Sequence, residues 1–207
     1  MKKILVAAVA AFACLACATA EVKSFLDFGI TVPVLSNLDC DDGIDSETTS
    51  GVGFDLSYRA MFTENVGLYA NAGLILPQKT EVKGDYEYTL EASDTDSWVG
   101  FNGFIGCAIM PVNKDKFGLT VAPGLVLVSQ TIDYGHDVKT TATMLGLGCN
   151  VGFDIYLNDS LYIKPAIGLD LLFHDWTEQE VGSHSEKDDE GVAYLYCKPS
   201  FSFGFRF

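Results

Sequence analysis

Apolar and polar residues alternate along this chain with a period of two, and the alternation recurs in eight segments. They are Val22–Leu35, Gly51–Phe62, Val66–Leu76, Trp98–Met110, Phe117–Val128, Thr140–Leu157, Leu161–Phe173 and Gly191–Phe207. Successive side chains of a strand point to opposite faces, so each segment reads as a strand with one apolar face. The sixth is the clearest. Leu145, Leu147, Cys149, Val151, Phe153, Ile155 and Leu157 share one face, against Gly146, Gly148, Asn150, Gly152 and Asp154 on the other. The fourth is less regular, because Phe104 falls on the face opposite Val99, Phe101, Ile105 and Ile109. Every segment reaches the roughly 9–11 residues that a tilted strand needs to cross a bilayer.

The connections alternate as well. Thr63–Asn65, Pro111–Lys116 and Asn158–Ser160 are short, whereas Ser36–Ser50, Pro77–Ser97, Ser129–Lys139 and His174–Glu190 read as long loops. Short turns on one rim and long loops on the other mark an outer-membrane barrel, with the short turns periplasmic. An even strand number puts both termini on that rim. The expected fold is all-β: one eight-stranded, antiparallel, up-and-down transmembrane β-barrel over residues 21–207. A soluble lipocalin-like barrel alternates too, with its apolar face inward. The small and polar composition of one face and the bulky aromatic composition of the other favour the membrane arrangement. Tyr58, Phe62, Phe117, Phe205 and Phe207 fall near the short-turn end, as a girdle would.

Both ends of the chain fit export. Lys2 and Lys3 precede an apolar run from Ile4 to Leu15, too short for a spanning helix, and Ala18-Thr19-Ala20 is a small-x-small cleavage site. Residues 1–20 are therefore expected to be a cleaved signal peptide. Cys17 leaves a lipoprotein signal open, although Leu15 stands one place too late for it. At the other end, Phe201, Phe203, Phe205 and Phe207 alternate with small or polar residues. A bare aromatic edge strand is an aggregation hazard in water but is safe when it closes a barrel in lipid.

Eight strands enclose a bore that side chains fill. The charges expected inside are Asp27, Asp55, Asp154 and Asp170 against Lys23, Arg59, Lys164, Lys198 and Arg206. Charges in so narrow a space persist when paired and hydrogen-bonded. A rigid plug is the expected reading, and a gated polar conduit is the alternative.

Removing Lys2 and Lys3 leaves 11 basic against 28 acidic residues, a net charge of −17. The excess concentrates between the strands. Ser36–Ser50 has five acids and no base, and His174–Glu190 has seven acids and only Lys187. Such a surface excludes nucleic acid as a partner and suits a basic host or envelope protein, or weakly held divalent cations. The run Asp39-Cys40-Asp41-Asp42-Gly43-Ile44-Asp45 departs from an EF-hand loop, with its Gly one place early and no Glu at the twelfth position. No metal or cofactor site is assigned to it.

Cys107, Cys149 and Cys197 sit on the apolar faces of strands that are not neighbours, which excludes disulfides among them. Catalysis is not expected. His136, His174 and His184 all fall between strands, Gly-x-Ser-x-Gly is missing, and His174, Asp175 and His184 lack metal-ligand spacing.

The stretch Val52–Leu76 has a tyrosine strand at Tyr58 followed by the turn Thr63-Glu64-Asn65-Val66-Gly67, and the chain ends in Phe207. These pieces resemble the small bacterial outer-membrane barrel superfamily that includes the OmpA membrane domain, OmpX and OmpW. The resemblance implies an outer-membrane location and contact with lipid and the barrel-assembly machinery, with Phe201 to Phe207 as the assembly signal. For function it implies a surface-interaction role, in adhesion or envelope structure, with a narrow solute channel as the alternative. OmpW-like members have a hydrophobic conduit, and the charged interior expected here departs from that. No OmpA-like peptidoglycan domain is expected.

Overall fold

A computed structural model describes residues 22–38, 40, 44–85 and 87–207. The expected signal peptide and Asp39, Asp41 and Asp42 lie outside the described residues. Ten strands are present among these: β1 Lys23–Thr31, β2 Val34–Asn37, β3 Ile44–Met61, β4 Val66–Gly84, β5 Tyr88–Glu91, β6 Ser97–Asn113, β7 Phe117–Gly135, β8 Val138–Tyr156, β9 Leu161–Val181 and β10 His184–Arg206. A single 3-10 turn, Ala92–Asp94, links β5 to β6. All pairings are antiparallel, and β1 closes the ring by pairing with both β3 and β10.

Ten strands make eight staves. β1 and β2 are one stave interrupted at Val32-Pro33, because proline has no N–H to donate to the ladder. The ladder resumes at once on both sides. The Val32 amide donates to the Pro199 carbonyl, the Gly51 amide donates to the Pro33 carbonyl, and β2 then runs between β10 and β3. β5 covers only the outer part of β4, where Lys79–Val82 pair with Glu91–Tyr88.

The outward face is the apolar one. Phe28, Phe54, Phe101, Ile105, Leu147, Phe153 and Phe201 are each about half exposed, and Leu74, Leu125 and Leu169 continue the band. An apolar surface of this extent suits lipid and not water. Burying each Leu or Phe contributes about 1.5–3 kcal/mol, so a dozen or more such side chains favour insertion by tens of kcal/mol. Above the band, the outer face of β7 and β8 changes to hydroxyl ladders, Ser129–Thr143 at 2.9 Å and Thr131–Thr141 at 3.1 Å.

Most of the expected long loops are strand. β7 and β8 continue to a two-residue turn, His136-Asp137, whose φ values are both positive, as a type I′ hairpin requires. β9 and β10 continue to Gly182-Ser183, where φ of +60° at Gly182 suits a type II′ turn. β9 runs eight residues past Phe173, a rise of about 26 Å along the strand. These stretches escaped the alternation rule because no continuous apolar face runs along them, so pairing with the neighbouring strand defines them, not amphipathicity.

Candidate functional site

The lumen divides into a charged plug below and a cup above. Arg59 of β3 forms the centre of the plug. Its Nη1 lies 2.8 Å from Asp154 Oδ2 on β8, and both side chains are fully buried. The same nitrogen donates to the Thr120 hydroxyl, which donates to Asp154 at 3.1 Å. The guanidinium lies 4.0 Å over the Phe25 ring, and Phe25 meets Tyr162 edge-on.

One layer up, Lys164 Nζ is 3.0 Å from Asp27 Oδ2, which also accepts from the Ser57 hydroxyl at 2.8 Å. Lys164 lies 5.0 Å over the Tyr69 ring, and Tyr69 packs edge-on with Phe104. Higher still, Lys198 Nζ is 3.1 Å from Asp55 and donates to Asn71 Oδ1 at 2.8 Å, while Asn102 donates to the same oxygen at 2.9 Å. Three carboxylates and three cations thus pair one to one across the bore. Each pair has additional hydrogen bonds or an aromatic face, which is what makes buried charge tolerable.

Two of the expected lumen charges do not join this network, and a third stands apart. Lys23 is exposed at the terminal rim. Arg206 is also at the rim, where Nε donates to the Asp159 carbonyl at 3.0 Å and the guanidinium lies 4.6 Å over Tyr156. Parity along the strand puts both on the inward side, but both stand at strand ends where inward means into the mouth. Asp170 is buried, lies opposite Tyr196 in the ladder and has no ion pair within 4.0 Å among the described residues.

Sequence reasoning missed Thr120, Ser57 and the aromatic shelf of Phe25 and Phe104. A signal existed, since Phe25 and Phe104 both break the outward phase of their strands. The inward packing of Phe104 explains the irregular fourth segment.

Above the plug, Ile75, Val128, Leu172, Met144 and Leu35 form an apolar floor of buried side chains. Over it lies a cavity of about 180 Å³, bordered by Trp98, Gln130, Ile132, Tyr134, Glu47 and Asp175 among others. Burial holds the Asp175 carboxyl above the usual range, although Thr177 donates to it at 2.9 Å.

The protruding strands carry the acids. His174 Nε2 stands 3.1 Å from Asp189 and edge-on to Trp176. Glu178 accepts from the Ser185 hydroxyl at 2.8 Å and lies 3.2 Å from Lys187 Nζ, contacts that hold its carboxyl below the ordinary 4.5. On β4, Lys79 bonds Glu81 and lowers that carboxyl in the same way. His136, His174 and His184 do not come together with carboxylates as a metal site, and no such cluster occurs among the described residues.

The aromatic strand closes the ring. Phe205, Phe203 and Phe201 lie opposite Leu26, Phe28 and Ile30 on the lipid face. Phe207 exchanges two backbone hydrogen bonds with Ser24, at 2.7 and 2.9 Å. Cys40, Cys107, Cys149 and Cys197 are free thiols.

A sequence model for the outer membrane protein beta-barrel domain matches residues 5–189. The chain belongs to the outer membrane protein beta-barrel family. This places the barrel in the bacterial outer membrane. Sequence comparison with characterised proteins gives no match. Among solved structures, the outer membrane protein OprG from Pseudomonas aeruginosa superposes with a TM-score of 0.63 at 15% identity, covering 89% of this chain and 95% of that one. Neisserial surface protein A superposes at 0.59 with 9% identity over 91% of this chain and 100% of that one. AlkL in lipid bilayers superposes at 0.53 with 13% identity over 91% and 93%. Identities this low establish a shared fold for this outer membrane barrel and nothing finer.

Proposed function

We propose that this outer membrane barrel is a surface-interaction protein. The hairpins of its long end face outward from the cell, its termini are periplasmic, and its acidic strands bind a basic partner. The observation that carries this reading is the plug. Arg59–Asp154, Lys164–Asp27 and Lys198–Asp55 cross the bore as stacked, buried pairs, which leaves a solute no wet path. A barrel without a conduit acts through what it displays. What it displays is a set of strands standing well above the lipid band and dense in Asp and Glu. Between His184 and Glu190 alone, Glu186, Asp188, Asp189 and Glu190 stand against Lys187, and all are exposed. The attachment invasion locus protein of Yersinia pestis, a fold neighbour with a TM-score of 0.51 and 11% identity, is solved with the heparin analogue sucrose octasulfate. A polyanion of that kind is repelled here, so the partner class follows charge and not likeness.

Two measurements test the reading together. In planar bilayers the protein should show no reproducible open steps. A basic protein such as lysozyme should bind the intact barrel in nanodiscs, weaken steeply with salt because surface charges are screened over about 8 Å at physiological ionic strength, and lose affinity when 176–189 is replaced by a short turn. Open steps altered by Arg59→Ala or Lys164→Ala would replace this reading with the narrow channel.

A further inference from the structure

The cup above the plug combines two chemistries that no single simple ligand class shares. Its walls are apolar and aromatic, with Trp98, Ile132, Met144 and Leu90 beside Tyr88 and Tyr134. Among the described residues its charged groups are Glu47 and Asp175, and no Lys, Arg or His lines it. Among the described residues neither carboxylate has an ion pair within 4.0 Å. Asp175 uses one oxygen to accept from Thr177, and its Oδ1 is buried without a hydrogen-bond partner among the described residues. Glu47 accepts a long 3.3 Å hydrogen bond from the Asn37 amide. Trp98 is anchored by its Nε1 donating to Gln130 at 3.3 Å, so its ring stays in the wall.

Each simpler guest fails on one of these features. A neutral hydrocarbon would bury two carboxylates against apolar surface, which is unfavourable. An anion meets like charge. A metal ion has too few ligands and would waste the aromatic walls. A cation with an apolar body uses everything present, since carboxylates pair with its charge and aromatic rings attract it as well.

We propose that the cup is a binding site for small organic ammonium ions with an apolar body, held by Asp175, Glu47 and the aromatic wall around Trp98. The floor of Ile75, Val128 and Leu172 closes it below, so the site captures its ligand and does not pass it through the barrel. This is independent of the protein partner proposed for the hairpins.

The probe is benzyltrimethylammonium, compared with its neutral carbon isostere neopentylbenzene. The barrel is held in lipid nanodiscs and carries Trp176→Phe, so that Trp98 is its only tryptophan fluorophore. The ammonium ion should bind saturably and quench or shift Trp98 emission. The neutral isostere should bind about tenfold more weakly or not at all, as loss of cation–π and carboxylate attraction implies. Asp175→Asn with Glu47→Gln should remove the preference for the charged probe, with heat-modifiable gel migration reporting that the variant is folded. Equal binding of the two probes to the unsubstituted cup would overturn the proposal even if the double variant failed to fold. So would undiminished ammonium affinity in a folded double variant.

Discussion

A buried charge is useful to this barrel only while its partner is present, and that asymmetry makes single residues of the plug testable. Asp154 is held by Arg59 and Thr120 with no exposure to solvent. Asp154→Ala leaves the guanidinium buried and unpaired, and breaking a buried pair in this way costs about 3–5 kcal/mol. Replacing both partners, as Arg59→Met with Asp154→Leu, should recover most of that loss, because the desolvation cost disappears along with the attraction. Urea unfolding followed by tryptophan fluorescence checks both. A single variant as stable as the parent would mean that the pair adds nothing. The residues of this network were legible wherever parity applied: Asp27, Asp55, Arg59, Asp154, Lys164 and Lys198 all lie on the polar phase of clean strands. Who pairs with whom was not legible. Pairing across the bore, as between Arg59 and Asp154 or Lys198 and Asp55, depends on barrel shear and on how staves sit opposite each other, and a linear pattern contains neither. Lys23 and Arg206 mark the limit of parity, since it says which way a side chain points but not whether the bore still surrounds it.

At the scale of elements, the eight membrane-crossing segments were readable because lipid demands an apolar face on each. The extensions beyond lipid were not, because water makes no such demand. Their signals were local and weaker. Val181-Gly182-Ser183-His184 contains the Gly-x start of a two-residue hairpin, and Thr131, Ile132 and Tyr134 are good strand formers. The β9–β10 extension also carries a pH dependence whose sign follows from its contacts. The Ser185 hydroxyl and Lys187 depress the folded-state pKa of Glu178. The stabilisation is therefore present above the ordinary value of 4.5 and is lost as pH falls through the lower folded value. Acidification also lowers the overall negative charge of this tip, which acts in the opposite direction. The informative quantity is thus the difference between the parent and Glu178→Gln. Amide exchange at 177–187 should be slower in the parent than in the variant at pH 7, and the two should converge toward pH 3. Identical exchange at both pH values would show that these contacts do not order the tip.

For the whole molecule, closure is the property on which all else depends. The ring closes through its first stave, whose parts β1 and β2 bond to β3 on one side and to β10 on the other. The last contribution to that seam is Phe207, which exchanges two backbone hydrogen bonds with Ser24 and is itself 71% exposed. Its share of the barrel's stability is small. A buried Phe contributes about 2 kcal/mol and each backbone hydrogen bond about 1 kcal/mol, against ladders that run the full length of eight staves. If Phe207 matters only as part of the seam, deleting it should lower stability by that amount and do nothing else. If the aromatic strand is also read by the assembly machinery, the same deletion should reduce the folded protein reaching the outer membrane far more than the stability loss explains. The two cases separate by comparing refolding of purified chain into liposomes with heat-modifiable protein recovered from cell envelopes. We expect near-parental refolding in liposomes and a several-fold loss in the envelope. Phe207→Tyr, which keeps an aromatic end, should restore envelope levels, whereas Phe207→Ala should not. Parental envelope levels for the deletion would leave the terminal strand as a structural seam alone.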